Sequence, residues 1–169
     1  MDAGLLIARL VFGFVMAAHG SQKLFGWFGG YGLSGTGGFF EGLGFRPGYW
    51  FAAAAGAAEL TGGLLFALGF LNPVGAALML SVMIVAAVSV HWQNGLFAAA
   101  NGIEVPLLYG TVAVALALTG PGAYSIDAAL GLSGLSTLAV ALPILAVGVI
   151  GGFANLALRR PQGRQAAAA

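Results

Sequence analysis

Five long apolar segments dominate the sequence and restrict the folds open to it. They are Ala3–Ala18, Tyr49–Phe70, Pro73–Val90, Val105–Thr119 and Leu135–Leu158. A helix needs about 20 mostly apolar residues to cross the hydrocarbon core of a bilayer, which is about 30 Å thick. Because 60% of the 169 residues are hydrophobic and only 7% are charged, the sequence predicts an all-α fold, a polytopic membrane helical bundle.

Local features refine these segments. Arg9 interrupts the first one and Asp2 precedes it, whereas a cleavable signal peptide carries positive charge ahead of an unbroken apolar core. We therefore expect a retained helix. The stretch LNP at Leu71–Pro73 is typical of a tight turn, and it predicts an antiparallel hairpin between the second and third segments.

Charge and cysteine content exclude several function classes. The net charge of +1 leaves no basic surface for nucleic acid, so no nucleic-acid partner is expected. The chain contains no cysteine, which excludes disulfides, thiolate metal sites and iron–sulfur ligands of its own. We expect no metal and no intrinsic cofactor.

Basic residues predict the orientation. With five spans, five of the six basic residues fall on one side of the membrane: Lys23, Arg46, Arg159, Arg160 and Arg164. Positive charge favours the cytoplasmic side, which places the C-terminus inside and the N-terminus outside. Trp27, Trp50 and Trp92 fall at that same interface, where tryptophan is enriched.

Two charges fall inside predicted spans. Arg9 and Glu59 would each cost about 2.5 to 3.5 kcal/mol at the bilayer centre, so each needs a partner. Glu59 follows a stripe of small residues in the second segment, Arg9 starts a similar stripe in the first, and small residues let membrane helices approach closely. We predict contact between these faces and a buried charge pair of Glu59 with Arg9 or the His19 region. A structural pair and a proton or ligand site both remain open.

Polar residues also gather at the predicted helix ends. In the five-span topology three such ends lie at the same membrane face. This arrangement predicts one polar cluster of His19, Gln22, Lys23, His91, Asn94 and Glu104. Such convergent groups fit ligand or proton handling, with a pocket between the first, third and fourth spans. The alternative is that both histidines cap helices or anchor the interface. Haem ligation by the two histidines has no other support in the sequence.

The glycine-rich stretch FGGYGLSGTGGFFEGLG lacks the residue order of a phosphate-binding loop. We expect a loop that lies on the membrane surface, with its aromatic residues in the interface. The alternative is a lid over a lipid-soluble ligand, with apolar walls from Trp27, Phe28, Phe39, Phe40 and Trp92.

Four stretches together resemble the DoxX family of small bacterial membrane proteins: RLVFGFVMAAHGSQKLFGWFGGYGLSGTGGFFEGLGFRPG, AGAAELTGGLLFALG, VHWQNG and TGPGAYSID. The resemblance implies a four-helix membrane core, a bacterial cell membrane location and relatedness to the DoxD subunit of thiosulfate:quinone oxidoreductase. Together with the apolar segments and the polar, alanine-rich tail, it divides the chain into a DoxX-like core (1–130), an additional fifth C-terminal transmembrane helix (131–158) that departs from the four-helix pattern, and a disordered tail (159–169).

Three function classes follow from the residues and the resemblance. The first, which we favour, is a membrane subunit of a redox, oxidative-stress or sulfur-redox system that binds a quinone-like or other small lipid-soluble molecule. The second is a scaffold that recruits a soluble sulfurtransferase or superoxide dismutase, and the third is a small transporter or channel. Without a cofactor motif, we expect an accessory subunit rather than an autonomous oxidoreductase. Membrane lipid is an expected partner, and assembly with further copies of the chain stays open.

Overall fold

Helices account for all the regular secondary structure in the computed structural model, which describes residues 1–160. The α-helices are α1 (Asp2–Phe25), α2 (Gly32–Gly42), α3 (Gly48–Leu68), α4 (Asn72–Ala86), α5 (Glu104–Thr119), α6 (Ile126–Ala129) and α7 (Leu138–Ala157). Helix α4 continues through a π-helical turn, Ala87–His91, and a 3-10 turn, Trp92–Asn94. Within this part of the chain α1, α3, α7 and extended α4 are long and apolar enough to cross a membrane, while α5 is shorter. The predicted all-α membrane bundle is confirmed.

Glycines set how α1, α3 and α4 pack. A Cβ on Gly13 of α1 would lie 2.6 Å from the carbonyl oxygen of Gly63 in α3, and one on Gly20 would overlap Leu60. Residues later in α1 therefore contact residues earlier in α3, so the two helices are antiparallel. They meet through the predicted small-residue faces. Gly62 and Gly75 form a similar close contact between α3 and α4, which gives the predicted hairpin.

Helix α7 belongs to the same bundle. Gly148 packs on Ala77 of α4, and Gly152 packs on Ser81, four residues further along both helices; the two helices therefore run parallel. The buried core draws on α1, α3, α4, α5 and α7, with Met16, Phe66, Met79, Leu116 and Leu145 among its members.

Helix α1 extends beyond its predicted span and the glycine-rich stretch predicted as loop is partly helical, which corrects both predictions. The stretch His19–Phe25 continues α1, which ends at Gly26 in the left-handed conformation that suits glycine. Part of the glycine-rich stretch forms α2, although glycine is a poor helix former. Packing explains this, because α2 buries Thr36 and Gly37, and Gly37 lies against the backbone of Tyr49 in α3.

The bundle has two chemically different ends. At one end, the lysine end, lie Lys23 at the end of α1, Arg46 between α2 and α3, and Arg159 and Arg160 after α7. Arg159 Nε donates to the carbonyl oxygen of Leu43 at 2.5 Å, and the Arg160 amide donates to Gly44 at 2.8 Å. These contacts involve the first two residues of the predicted tail; its remainder, 161–169, lies outside the described residues. The opposite end, the aspartate end, carries Asp2 and Asp127.

Candidate ligand-binding cavity

A cavity of about 260 Å³ lies between α1, α2, α3, extended α4 and α7, towards the lysine end. Aromatic rings form much of its wall, and Phe45, at 1% exposure, is the most deeply buried of them. Its aromatic residues are Phe39, Phe40, Phe45 and Phe51, and its polar residues are Lys23, Glu59, Ser81, Ser89, His91 and Asn155. A largely apolar space with a few polar groups is the usual form of a small-molecule site.

An ion pair forms part of this wall. Lys23 Nζ lies 2.7 Å and 2.5 Å from the two carboxylate oxygens of Glu59. The Glu59 side chain is 3% exposed and the Lys23 side chain is 26% exposed. The pair therefore joins α1 to α3 and offers a charged donor and a charged acceptor at the edge of the cavity.

Of the two predicted partners of Glu59, Arg9 is wrong, because Glu59 pairs with Lys23, which lies in the His19 region, four residues after His19. Both Glu59 and Arg9 are buried. The antiparallel register places Glu59 opposite the last turns of α1, and the helical continuation of α1 keeps Lys23, three residues after Gly20, on the face that meets α3.

Arg9 lies instead near the aspartate end. Its Nη2 donates to the carbonyl oxygen of Tyr124 at 2.5 Å, and its guanidinium occupies the space that a Cβ on Gly69 would fill. Beside it, the Asp127 carboxylate accepts the amides of Leu71 and Asn72 at 2.9 Å each. Asp127 thus caps α4, and this end of the bundle is held together by buried polar contacts between α1, α4 and the chain after α5.

His91 ends the π-helical turn and lines the cavity. Its Nδ1 lies 2.8 Å from the carbonyl oxygen of Asn101, and Asn94 Nδ2 donates to the same oxygen at 3.2 Å. Glu104 accepts the amide of Ala98 at 2.7 Å. Asn94 and Glu104 therefore hold the loop between α4 and α5 in place and are not part of the cavity wall.

A second, more open cavity of about 570 Å³ adjoins the first. Lys23, Phe39 and Phe40 line both cavities, and Gln22 lines only this outer one. The Gln22 side chain makes two local contacts. Its Nε2 donates to the carbonyl oxygen of Phe28 at 3.1 Å, and its Oε1 lies 3.0 Å from His19 Nδ1. His19 itself is exposed on α1.

The predicted single pocket is therefore only partly correct. Lys23 and His91 share the inner cavity, because α3 and α7 complete it and α5 does not. Grouping them there with the other four predicted residues is wrong: His19, Gln22, Asn94 and Glu104. Among the predicted wall residues, Phe39 and Phe40 line the cavity, whereas Trp27 and Phe28 are exposed and Trp92 lines a separate apolar groove between α4 and α5.

Sequence reasoning missed several wall residues. Ser81 and Ser89 lie eight residues apart with Val85 midway, so the three share one face of extended α4. Two hydroxyl residues at this spacing in an apolar span could have indicated a polar face. Phe45 and Phe51 carried no such indication, because their position depends on how α2 folds against α3.

Comparison with known proteins adds one finding. The family model described as DoxX matches residues 4–92, just over half of the chain. No curated protein and no solved structure matches it.

Proposed function

Because the chain belongs to the DoxX family, we propose that this membrane protein is a subunit of a redox system and that it holds a small, quinone-like lipid-soluble molecule in the inner cavity. The observation that supports the proposal is the position of the Lys23–Glu59 pair. It lies in the wall of an aromatic cavity, and its lysine lines both this cavity and the adjoining outer one. A pair that served only helix packing would not need an adjoining cavity.

The residues fit a flat head group with polar oxygens. Phe39, Phe40, Phe45 and Phe51 offer ring faces and edges for an apolar ring. The Lys23 ammonium can donate a hydrogen bond to a ligand oxygen, and the Glu59 carboxylate can accept a proton from one. A bound quinone would supply the redox chemistry, while these side chains orient it and exchange protons with it.

Helix α2 serves as a lid in this proposal. Phe39 and Phe40 project from α2 and line both the inner and the outer cavity, so displacement of α2 would join the two spaces. The lid thus consists of α2 with Phe39 and Phe40, and Trp27, Phe28 and Trp92 lie outside it.

A cavity-filling variant tests the proposal. Ala58 of α3 lines the cavity, while its neighbour Ala57 is exposed and does not. Ala58→Phe should reduce a specifically co-purifying small molecule about tenfold or more, because the added ring occupies its space, and Ala57→Phe should leave it unchanged. The measurement is solvent extraction and mass spectrometry of each variant after purification in native lipid, at matched protein amounts.

The contrary result is also specific. If wild type and both variants carry the same molecules in the same amounts as the surrounding bilayer, the cavity binds nothing selectively. The binding proposal would then be abandoned in favour of a scaffold that recruits a soluble sulfurtransferase or superoxide dismutase.

A further inference from the structure

The π-helical turn presents hydrogen-bond acceptors to the cavity. A carbonyl oxygen can only accept, so the 2.8 Å contact between His91 Nδ1 and the carbonyl of Asn101 places the proton on Nδ1. In the neutral ring Nε2 then carries the lone pair and accepts hydrogen bonds. In this neutral form His91 Nε2 can accept a hydrogen bond from a ligand and has no proton to donate.

Ser89 also presents a hydrogen-bond acceptor and no donor. Its hydroxyl donates to the carbonyl oxygen of Val85 at 2.5 Å, which commits its only proton and leaves oxygen lone pairs as acceptors. Ser89 and His91 lie two residues apart in the π-helical turn Ala87–His91, and both line the cavity. Turns of this kind are frequent at functional sites.

Because His91 and Ser89 both offer acceptors, we infer that the cavity selects a head group bearing a hydroxyl, such as a phenol or hydroquinone, over the matching ether or carbonyl compound. His91 is the acceptor that determines this specificity. This inference rests on the proposed function. A ligand hydroxyl can donate a hydrogen bond to His91 Nε2. An ether or carbonyl oxygen is itself an acceptor, so at this position neither it nor Nε2 would have a hydrogen-bond donor. The donors elsewhere in the wall, on Lys23, Ser81 and Asn155, can donate a hydrogen bond to the oxygen of either head group, so they do not discriminate between the two.

Two probes of nearly the same shape test the inference: 4-fluoro-1-naphthol and its methyl ether. The ether keeps the oxygen but lacks the O–H. Binding is followed by fluorine NMR to the protein in lipid nanodiscs, with empty nanodiscs correcting for partition into lipid. Wild type should bind the naphthol about tenfold more tightly than the ether, a ratio expected for one hydrogen bond that replaces an unpaired acceptor.

Variants assign the preference to a residue. His91→Phe removes the acceptor at His91 Nε2 and keeps the acceptor oxygen of Ser89, so, with His91 as the determinant, it should reduce the ratio towards onefold by weakening naphthol binding alone. Asn94→Ala removes the other contact to the Asn101 carbonyl but keeps the acceptor, so it should retain the ratio. His19→Phe changes an exposed histidine outside the cavity and should also retain it.

The possible failures differ. If neither probe binds above empty nanodiscs, the proposed function itself fails. If wild type binds both probes equally, the proposed function stands and hydroxyl selection is wrong. If His91→Phe keeps the tenfold ratio, or Asn94→Ala loses it, His91 is not the determinant. If His91→Phe does not fold, the naphthol-to-ether affinity ratio is compared between wild type and His91→Gln. Glutamine can donate as well as accept, so His91→Gln should bind the two probes with more similar affinities; an unchanged ratio would show that His91 is not the determinant.

Discussion

Lys23 and Glu59 are buried to different depths. The glutamate is 3% exposed and the lysine 26% exposed. A lysine without its partner can turn its ammonium towards the interface on a flexible stem. A carboxylate at the position of Glu59 has no such route, so the two halves of the pair contribute unequally to stability.

We predict that Lys23→Met destabilises the protein more than Glu59→Gln. The first leaves a buried carboxylate unpaired and should lower the free energy of unfolding by about 3 kcal/mol, near the lower limit for breaking a buried pair. The second leaves a partly exposed lysine and should cost about 1 kcal/mol. Chemical unfolding in detergent measures both.

The double variant Lys23→Met/Glu59→Gln provides the control. It removes both charges and should be more stable than Lys23→Met alone, because no unpaired carboxylate remains. Equal loss in the two single variants would contradict the difference in burial.

Among the elements, α2 combines weak intrinsic helix formation with a position over the cavity. Five of its eleven residues are glycine. Gly37 packs closely on α3, but a Cβ on Gly38 would have nothing within 4 Å, and the backbone there is not left-handed. Neither packing nor backbone conformation requires glycine at position 38, so this glycine lowers the stability of the helix.

Gly38→Ala should therefore slow the opening of α2. Replacing a helical glycine by alanine contributes about 1 kcal/mol, which corresponds to roughly fivefold slower hydrogen exchange of the α2 amides if they exchange by local opening. Release of a bound molecule should slow by a similar factor if α2 is the lid. Exchange followed by mass spectrometry gives the first quantity, and a competition chase gives the second.

Gly4→Ala is the matched control. Gly4 lies in α1 near the aspartate end, and a Cβ there also has nothing within 4 Å. This variant should leave the α2 amides and ligand release unchanged. Unaltered α2 exchange in Gly38→Ala would show that α2 does not open independently of the bundle.

At the scale of the whole molecule, the bundle separates its charged residues between two ends. Basic residues from α1, from the connection between α2 and α3, and from the end of α7 lie at the lysine end, and the contacts of Arg159 and Arg160 with Leu43 and Gly44 hold two of these segments together. The positive-inside rule predicts that this end faces the cytoplasm.

Labelling of introduced cysteines tests that orientation, since the chain contains none. Gly134 lies between α6 and α7 at the aspartate end, Gly42 lies at the end of α2, and a Cβ at either position has open space. In intact cells an impermeant maleimide should label Gly134→Cys and should label Gly42→Cys only after permeabilisation. The reverse pattern would place the lysine end outside.

The sequence by itself determined the membrane bundle, the hairpin at Leu71–Pro73 and the small-residue contact of α1 with α3. It also predicted Lys23, His91, Phe39 and Phe40 among the candidate site residues, and all four line the cavity. Hydropathy, turn residues and helical spacing are local properties, so they can be recognised without knowing the partner helix. Only the tertiary structure decided that Glu59 pairs with Lys23, because a partner across two helices depends on their register and on where α1 ends.

Tertiary packing also decided that a glycine-rich stretch becomes α2. Its intrinsic preference is against a helix, and the contact with α3 outweighs that preference. The same packing brings Phe45 and Phe51 to the cavity and excludes His19, Asn94 and Glu104 from its wall. A cavity exists only where several helices fail to fill the space between them, and no single segment of sequence carries that information.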